Sequence, residues 1–188
     1  MKSAKIIIAG GFGVGKTTLV GAISEITPLT TEAMMTTAGL GVDDLAGVPG
    51  KTTTTVALDF GRITIAADLI LYLFGTPGQA RFWFMWDELV RGALGAVVLV
   101  DTRRVEDAFA AIDFFENRNL PYLVGVNCFD GAPRYATAEI REALVIPHSV
   151  PLELCDARDR ESVKQLLILM SRHALAQLRA QQQAARVG

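Results

Sequence analysis

The stretch Gly10–Thr17 reads GGFGVGKT and fits the pattern G-x-x-x-x-G-K-[ST], in which glycines, a lysine and a hydroxyl occupy fixed positions. Such glycines let backbone N–H groups turn inward around an anion, and the N-terminus of the following helix adds positive potential. Lys16 would neutralise the outer phosphates of a nucleotide, and the hydroxyl of Thr17 is a ligand that suits Mg²⁺. The spacing therefore predicts a site for nucleoside phosphates, with Thr18 beside the innermost phosphate.

The same motif assigns the rest of this phosphate loop. The predicted phosphate-binding residues are Gly11, Gly13, Val14, Gly15, Lys16, Thr17 and Thr18. A glycine-rich turn with a chance Lys-Thr is the alternative, but the motif follows an apolar run and opens a helical pattern, which is its proper context. The loop does not separate ATP from GTP, because kinases, transport ATPases and switch GTPases all share it.

A second polar group, Asn127-Cys128-Phe129-Asp130, ends an apolar run and is similar to the N-K-x-D motif of GTPases. Guanine presents two adjacent donors, N1–H and the exocyclic amine, so the Asp130 carboxylate would accept from both, whereas adenine offers no such pair. Asn127 would brace the base pocket. Cys128 replaces the usual lysine, whose stem covers one face of the base, so we expect weaker nucleotide binding or a more open pocket. A solvated turn is the alternative.

The next predicted strand ends in LCDAR, residues 154–158, which is similar to the S-A-K loop of the same proteins. In that loop a backbone N–H donates to guanine O6, and Ala157 holds the corresponding position. Asp156 and Arg158 flank it, with Arg158 in place of lysine. The cysteine of this loop and Cys128 would both lie beside the base, and a structural and a redox role both stay open for them.

Residues 55–60, TVALDF, are similar to the T-I-G-V-D-F pattern that ends the first switch of small GTPases. The hydroxyl of Thr55 is therefore the predicted ligand of Mg²⁺ and of the γ-phosphate. The run Thr52–Thr55 leaves this assignment open by one residue. A row of threonines that simply favour a β-strand is the alternative.

Residues 75–79 read GTPGQ and are similar to the phosphate-sensing loop of the second switch. Gly78 would meet the γ-phosphate through its N–H, and Gln79 would orient the attacking water. With Lys16, these residues form the predicted catalytic set. The residue two before the proline is usually an Asp that holds Mg²⁺ through a water. Here it is Gly75, so we expect weaker metal binding and a mobile second switch.

Other residues near these motifs have two interpretations each. Asp101 ends another predicted strand and is a candidate substitute for the missing carboxylate, although a helix N-cap is the alternative. Four arginines are candidates for a charge that stabilises the transition state, with surface ion pairs as the alternative: Arg62, Arg81, Arg103 and Arg104. The aromatic run at 82–86 belongs either to the core or to a partner surface.

The composition excludes several classes of protein. The chain has 188 residues, of which 51% are hydrophobic, with a formal net charge of −2 and two cysteines. These totals suit one compact domain without a nucleic-acid footprint or a disulfide framework. No segment approaches the roughly 20 apolar residues of a membrane span. We expect a cytoplasmic protein without direct membrane insertion, recruited to a membrane, if at all, through partners.

Apolar runs alternate with helical patterns, which predicts a three-layer α/β fold. The predicted strands are Lys5–Ala9, Thr53–Phe60, Ile63–Ile65, Leu69–Phe74, Ala96–Val100, Tyr122–Asn127 and Pro151–Leu154. The predicted helices are Lys16–Ser24, Phe84–Arg91, Val105–Asn117, Thr137–Leu144 and Ser162–Gln182. A tight turn at 60–63 would form an antiparallel hairpin at the sheet edge. The irregular segment Thr27–Lys51 is predicted to be a functional loop.

Together these motifs resemble those of Ras-superfamily small GTPases over residues 5–178. The resemblance implies a P-loop NTPase of the G-domain type. Its sheet would be six-stranded and mostly parallel, with one antiparallel edge strand and helices on both faces. The resemblance also implies a single domain over residues 1–180, a disordered tail over 181–188, and GTP/GDP and Mg²⁺ as ligands. The implied function is a GTP/GDP switch with slow hydrolysis.

More narrowly, GGFGVGKTT, KTTTTVALDFG and LYLFGTPGQARFWFMW resemble segments of the small GTPases of actinobacterial conservons, which are similar to roadblock-partnered bacterial polarity GTPases. That resemblance implies a roadblock-family protein and a sensor-kinase-like membrane protein as partners in a signalling complex. Three alternatives stay open. They are a pseudo-GTPase scaffold that binds nucleotide without turnover, an ATP-using phosphotransferase or ATPase, and a structural P-loop protein that binds no nucleotide.

Overall fold

The computed structural model describes residues 2–35, 54–78 and 85–187. The strands are β1 (Lys2–Gly10), β2 (Leu29–Met35), β3 (Thr54–Ala66), β4 (Leu69–Gly75), β5 (Gly95–Val100), β6 (Tyr122–Asn127) and β7 (Leu152–Cys155). The helices are α1 (Lys16–Ile23), α2 (Trp86–Val90), a 3-10 turn (Val105–Ala108) that leads into α3 (Phe109–Glu116), α4 (Thr137–Leu144) and α5 (Arg160–Val187).

The strands form one sheet in the order β2-β3-β4-β1-β5-β6-β7. The pairs from β4 to β7 are parallel, and β3 runs antiparallel to both of its neighbours. Every residue of β5 and β6 is buried, as expected for parallel strands that are covered on both faces. One face packs on α1 and α5, and the other packs on α2, α3 and α4. The three-layer α/β prediction is confirmed.

The sheet contains one strand more than the six predicted, because Leu29–Met35 adds β2 at the edge. The predicted antiparallel strand therefore lies inside the sheet, between β2 and β4. The predicted tight turn at residues 60–63 is wrong, since β3 runs without interruption from Thr54 to Ala66. Gly61 serves packing instead: a Cβ there would lie 2.7 Å from Val20 Cγ1, so the glycine lets β3 approach α1 closely.

Helix α5 continues to Val187, whereas the sequence predicts a disordered tail over 181–188. The glutamines, alanines and arginine of this segment have high helix propensity, and they extend the helix beyond the last buried position at Ala174. Of the helices in the described ranges, none is both long and apolar enough to cross a membrane.

The parallel strands end together at one edge of the sheet, where ligands bind in open α/β folds. The loops that follow β1, β4, β5, β6 and β7 gather there, and they carry most of the predicted site residues. The sheet topology therefore brings the phosphate loop, the second switch and the predicted base loops to a single place.

Candidate nucleotide site

The phosphate loop joins the end of β1 to the start of α1. Gly13 and Gly15 have φ angles of 74° and 106°, in the left-handed region that residues with a Cβ rarely adopt. Gly15 also leaves room for a neighbour, because a Cβ there would lie 2.6 Å from Asn127 Nδ2. The loop thus needs glycine both for its backbone and for its contact with the strand that carries Asn127.

Lys16 lies beneath this loop and is 8% exposed. Its Nζ donates to the carbonyl oxygens of Gly10 at 2.9 Å and Gly11 at 2.7 Å. Burial lowers the pKa of Lys16 to about 8, although the nearby charges of Asp59 and Asp107 act in the opposite direction. The ammonium group is therefore held at the loop, in a position to neutralise a bound polyphosphate.

Gly78 lies against both Lys16 and the phosphate loop. A Cβ at residue 78 would be 2.8 Å from Lys16 Nζ and 3.0 Å from the backbone nitrogen of Phe12. A side chain at residue 78 would crowd both Lys16 and the phosphate loop. The structure therefore brings together two of the three predicted catalytic residues, Lys16 and Gly78.

The hydroxyl of Thr17 donates to the Oδ2 atom of Asp59 over 2.6 Å. Asp59 is 7% exposed, and it lies opposite Gly75 in the β3–β4 register. A Cβ at residue 75 would be 2.9 Å from the Cβ of Asp59 and 3.0 Å from its Oδ2. Asp59 therefore fills the space that a side chain at position 75 would need.

Asp59 is the residue that the sequence motifs missed as a partner of Thr17. The pairing of β3 with β4 is the feature that could have identified it, because this register places Asp59 beside Gly75, the glycine that replaces the usual acid. Asp101, the substitute considered from the sequence, is instead bonded to Arg103, whose backbone N–H and guanidinium donate to it at 2.7–3.2 Å. These bonds from Arg103 lower the pKa of Asp101. The Asp101 carboxylate is thus bonded to Arg103 in this structure, and its use as a substitute acid stays a prediction.

The side chain of Asn127 connects the phosphate loop to the loop after β7. Its Nδ2 donates to the carbonyl of Val14 at 2.9 Å, and its Oδ1 accepts from the N–H of Ala157 at 3.0 Å. Asn127 is 6% exposed, so these bonds satisfy a buried amide. This three-way contact fixes the predicted base loops beside the phosphate loop. The Ala157 N–H, predicted to donate to guanine O6, donates to Asn127 in this structure.

Asp130 lies at the rim of the predicted base site, and its side chain is 84% exposed. Both of its oxygens accept from the Arg158 guanidinium, at 2.6 Å and 3.1 Å. Arg158 also donates to both oxygens of Asp156, and these bonds lower the pKa of Asp156 to about 2. Arg158 thus links the two base loops, and a base that bonds to Asp130 must share or displace this contact.

The two cysteines lie on neighbouring chain segments in the same region. The N–H of Cys128 donates to the carbonyl of Cys155 at 2.8 Å, and both thiols are free. Cys155 is buried, and that burial raises its pKa to about 12. A thiol with so high a pKa is a poor nucleophile, which favours a structural role for Cys155.

Several predicted residues fall outside the described part of the chain. Gln79, Arg81 and the aromatic residues 82–84 are among them, as is most of the segment Thr27–Lys51. Thr55 lies on β3, opposite Met34, and its side chain is not described. Trp86, at the end of the aromatic run, is 2% exposed and stacks on Phe115, so it belongs to the core.

Comparison with known proteins agrees with the phosphate-loop geometry. Residues 8–177 match the family described as "Conserved hypothetical ATP binding protein". The chain belongs to this ATP-binding protein family. The chain is also similar to "Uncharacterized protein MJ1339" of Methanocaldococcus jannaschii. The two are 30% identical over 128 residues, which cover 67% of this chain and 70% of that protein. The chain is a nucleotide-binding P-loop protein.

This member of the ATP-binding protein family is also similar to Ras-related protein SEC4 of Candida albicans. The two are 29% identical over 120 residues, 58% of this chain and 57% of SEC4. The G domain of the T. maritima FeoB iron transporter matches with a TM-score of 0.63 and 16% identity over 92% of this chain and 99% of that chain. The FeoB G domain of Methanococcus jannaschii matches with a TM-score of 0.60 and 14% identity, over 93% of this chain and 99% of that chain. The fold is therefore that of a G domain.

Proposed function

We propose that the protein is a molecular switch that binds GTP and GDP and slowly hydrolyses GTP in a Mg²⁺-dependent reaction. The observation that carries this proposal is the contact of Asn127 with both Val14 and Ala157, at 2.9 Å and 3.0 Å. This contact joins the phosphate loop to the two loops that would read the base. A P-loop protein that only packed its core would have no need of such a connection.

The family description names ATP. The choice of guanine as the bound base rests instead on Asp130. A carboxylate at the rim accepts hydrogen bonds but cannot donate, so it suits the paired N1–H and amine of guanine. Adenine has no such pair, and it would leave the carboxylate unmatched. Arg158, bonded to Asp130 in the structure, is half exposed and can move aside when a base binds.

The residues at the phosphate loop fit a Mg²⁺ ion. Thr17 and Asp59 offer hard oxygen donors 2.6 Å apart, which is the ligand type that Mg²⁺ prefers. Thr76 is buried, and its hydroxyl has no hydrogen-bond partner among the described residues, so a polar ligand nearby would satisfy it. Thr17 and Thr55 would hold the ion, with Asp59 in place of the acid missing at Gly75. When bound, Mg²⁺ neutralises charge on the β- and γ-phosphates.

Hydrolysis would be an in-line attack of water on the γ-phosphate. Lys16 would neutralise the outer phosphates, the Gly78 N–H would contact the γ-phosphate, and Gln79 would orient the water. Gly10, Gly13 and Gly15 shape the loop whose N–H groups surround the phosphates. The protein's role is to position and to stabilise charge, so turnover without further help is expected to be slow.

A scaffold that binds nucleotide without turnover is the second candidate. The observation that favours it is the close approach of Gly78 to Phe12 and Lys16, which narrows the place that a γ-phosphate would occupy. If this contact persisted in solution, GDP would bind well and GTP poorly. Comparing the affinities of the two nucleotides for the purified protein separates a closed scaffold from a switch.

The signalling context is proposed from the resemblance alone. A roadblock-family protein would bind one nucleotide state of the switch, and a sensor-kinase-like membrane protein would recruit the complex from the cytoplasm to the membrane. Measuring the affinity of a purified roadblock-family protein for the GTP and GDP forms tests this proposal. Equal affinity for both forms would contradict a switch that works through that partner.

Competition between guanine and adenine nucleotides tests the proposed function directly. A fluorescent GDP analogue is bound to the purified protein with Mg²⁺ and displaced by GDP, GTP, ADP or ATP. The proposal expects GDP and GTP to displace it at concentrations at least roughly 100-fold lower than ADP and ATP. Equal or better displacement by ATP would instead make the protein an adenine-nucleotide enzyme, in line with the family's description.

A further inference from the structure

A cavity of about 400 Å³ lies between the phosphate loop and the start of α3. It is lined on one side by Gly10, Gly11 and Phe12, and on the other by Arg104 and Asp107. Gly78, the predicted γ-phosphate contact, also lines it. The cavity therefore opens at the end of the site where the terminal phosphate of a nucleotide would lie.

Arg104 points into this region from the loop after β5. Its Nη2 donates to the carbonyl of Phe12 at 2.8 Å, and a Cβ at Gly13 would lie 3.7 Å from the same nitrogen. Its Nη1 is 3.7 Å from the Oδ2 of Asp107, and the side chain is 46% exposed. A guanidinium has five donors, so most of the donors of Arg104 remain available to another acceptor.

Of the other candidate arginines in the described part of the chain, one is bonded to Asp101 and one lies in the middle of the sheet. Arg103 gives its guanidinium to Asp101 and lies 4.2 Å from the ring of Phe129. Arg62 pairs with Tyr72 in the middle of β3 and β4, away from the carboxyl end of the sheet. Arg104 is the one of these three that contacts the phosphate loop.

The backbone of Phe12 lies against Gly78, because a Cβ at residue 78 would be 3.0 Å from the Phe12 Cα. The bond from Arg104 to the Phe12 carbonyl therefore places the guanidinium near Gly78, the predicted contact of the γ-phosphate.

We propose that Arg104 is a catalytic arginine supplied in cis, which binds the γ-phosphate and stabilises charge as it is cleaved. The inference rests on the proposed hydrolysis of GTP. In that step the water oxygen bonds to the γ-phosphorus while the bond to the β–γ bridging oxygen breaks. The electron pair stays on GDP, and the water proton leaves with phosphate or solvent. Arg104 keeps its own proton and donates hydrogen bonds to the oxygens on which negative charge grows.

To act in this way, the guanidinium must exchange its bond with the Phe12 carbonyl for phosphate oxygens. The contact with Phe12 holds the side chain at the phosphate loop, and Asp107 lies 3.7 Å from its Nη1. Enzymes with an arginine in cis turn over on the order of 10⁻² s⁻¹, against about 4 × 10⁻⁴ s⁻¹ for a switch without one. Hydrolysis by this protein should therefore be slow, but nearer the first value.

The test compares wild-type protein with Arg104→Ala, Arg104→Lys and the exposed control Arg179→Ala. Single-turnover GTP hydrolysis is measured together with binding of GDP alone and of GDP with aluminium fluoride, which mimics the transferred phosphoryl group. The lysine variant keeps the positive charge and can still donate to Phe12, so it is the control for a loss of activity caused by misfolding. The inference predicts that Arg104→Ala loses roughly 30-fold or more in rate. It should also lose the aluminium fluoride complex, while its GDP affinity stays within about threefold of the wild-type value.

Two results would overturn the inference alone. One is an Arg104→Ala protein that hydrolyses GTP at the wild-type rate. The other is a variant whose GDP affinity falls as much as its rate, which would mean that Arg104 only supports the loop. A wild-type protein that hydrolyses no GTP and binds no aluminium fluoride complex overturns the proposed hydrolysis itself, and the inference falls with it.

Discussion

Asp59 lies opposite Gly75 across β3 and β4, and the space that a side chain at residue 75 would occupy is filled by the Asp59 carboxylate. A carboxylate from the neighbouring strand thus stands where the second-switch motif usually places its acid. It accepts a hydrogen bond from the hydroxyl of Thr17 at 2.6 Å, so the two groups proposed to hold Mg²⁺ are adjacent. Loss of the usual Asp at residue 75 need not mean loss of the metal.

Exchanging the two residues tests this replacement. Asp59→Ala should raise the Mg²⁺ concentration needed for hydrolysis by roughly 10- to 100-fold, as loss of an outer-shell partner does at other metal sites. Gly75→Asp alone should destabilise the fold, because the two side chains collide. In the double variant Asp59→Ala/Gly75→Asp, the Mg²⁺ concentration needed for hydrolysis should return much of the way to the wild-type value. Asp68→Asn, in the exposed turn after β3, is the control. A double variant no better than Asp59→Ala would show that the two positions are not equivalent.

Changing one hydrogen-bonding atom at Asp130 should change the base that the protein binds. Asparagine offers a donor where aspartate offers an acceptor, and xanthine carries a carbonyl where guanine carries its amine. Asp130→Asn should therefore lose GDP affinity by roughly 100-fold or more and gain affinity for xanthosine diphosphate. Displacement titrations with both nucleotides measure the exchange, and Glu153→Gln, an exposed carboxylate on β7, serves as the control. Unchanged GDP binding in Asp130→Asn would remove Asp130 from the base site.

The buried ammonium of Lys16 should make stability depend on pH. Its pKa is lowered from 10.5 to about 8 in the fold, so between these values the unfolded chain retains a proton that the folded chain has lost. Stability therefore rises with pH across that window. The stability of wild type minus that of Lys16→Met, measured by denaturant unfolding without nucleotide, should increase by on the order of 3 kcal/mol from pH 8 to 10.5. A difference that stays flat with pH would mean that Lys16 is not desolvated.

Gly61 on β3 and Gly21 on α1 should have opposite effects on stability when each is replaced by alanine. A Cβ at Gly61 would lie 2.7 Å from Val20 Cγ1, so Gly61→Ala should cost about 1–3 kcal/mol of stability. A Cβ at Gly21 would meet its nearest neighbour at 3.9 Å, so Gly21→Ala in α1 should add about 0.5–1 kcal/mol through helix propensity. Urea unfolding of both variants measures this. A stable Gly61→Ala protein would mean that β3 and α1 are not so closely packed.

The alternation of apolar runs predicted the three-layer fold, and the structure brings the glycine loop and the N-x-x-D loop to the same edge of the sheet. These signals are local, because each residue type follows from a nearby backbone or ligand requirement. The sequence wrongly predicted a turn at Gly61, where the glycine instead lets α1 pack closely on β3. It also missed the contact of Asp59 with Thr17, because the register of β3 against β4 decides which carboxylate reaches Thr17. That register depends on pairing across the sheet, which no local pattern records.

The most direct test of the proposed switch is single-turnover hydrolysis of GTP by the purified protein, with Mg²⁺ and with EDTA, beside the Gln79→Leu variant. We expect slow turnover that requires Mg²⁺ and is lost in the variant, while both proteins bind GDP. Tight GTP binding with no turnover under any condition would contradict the switch enzyme and leave a nucleotide-binding scaffold. Turnover of ATP in preference to GTP would contradict the base assignment.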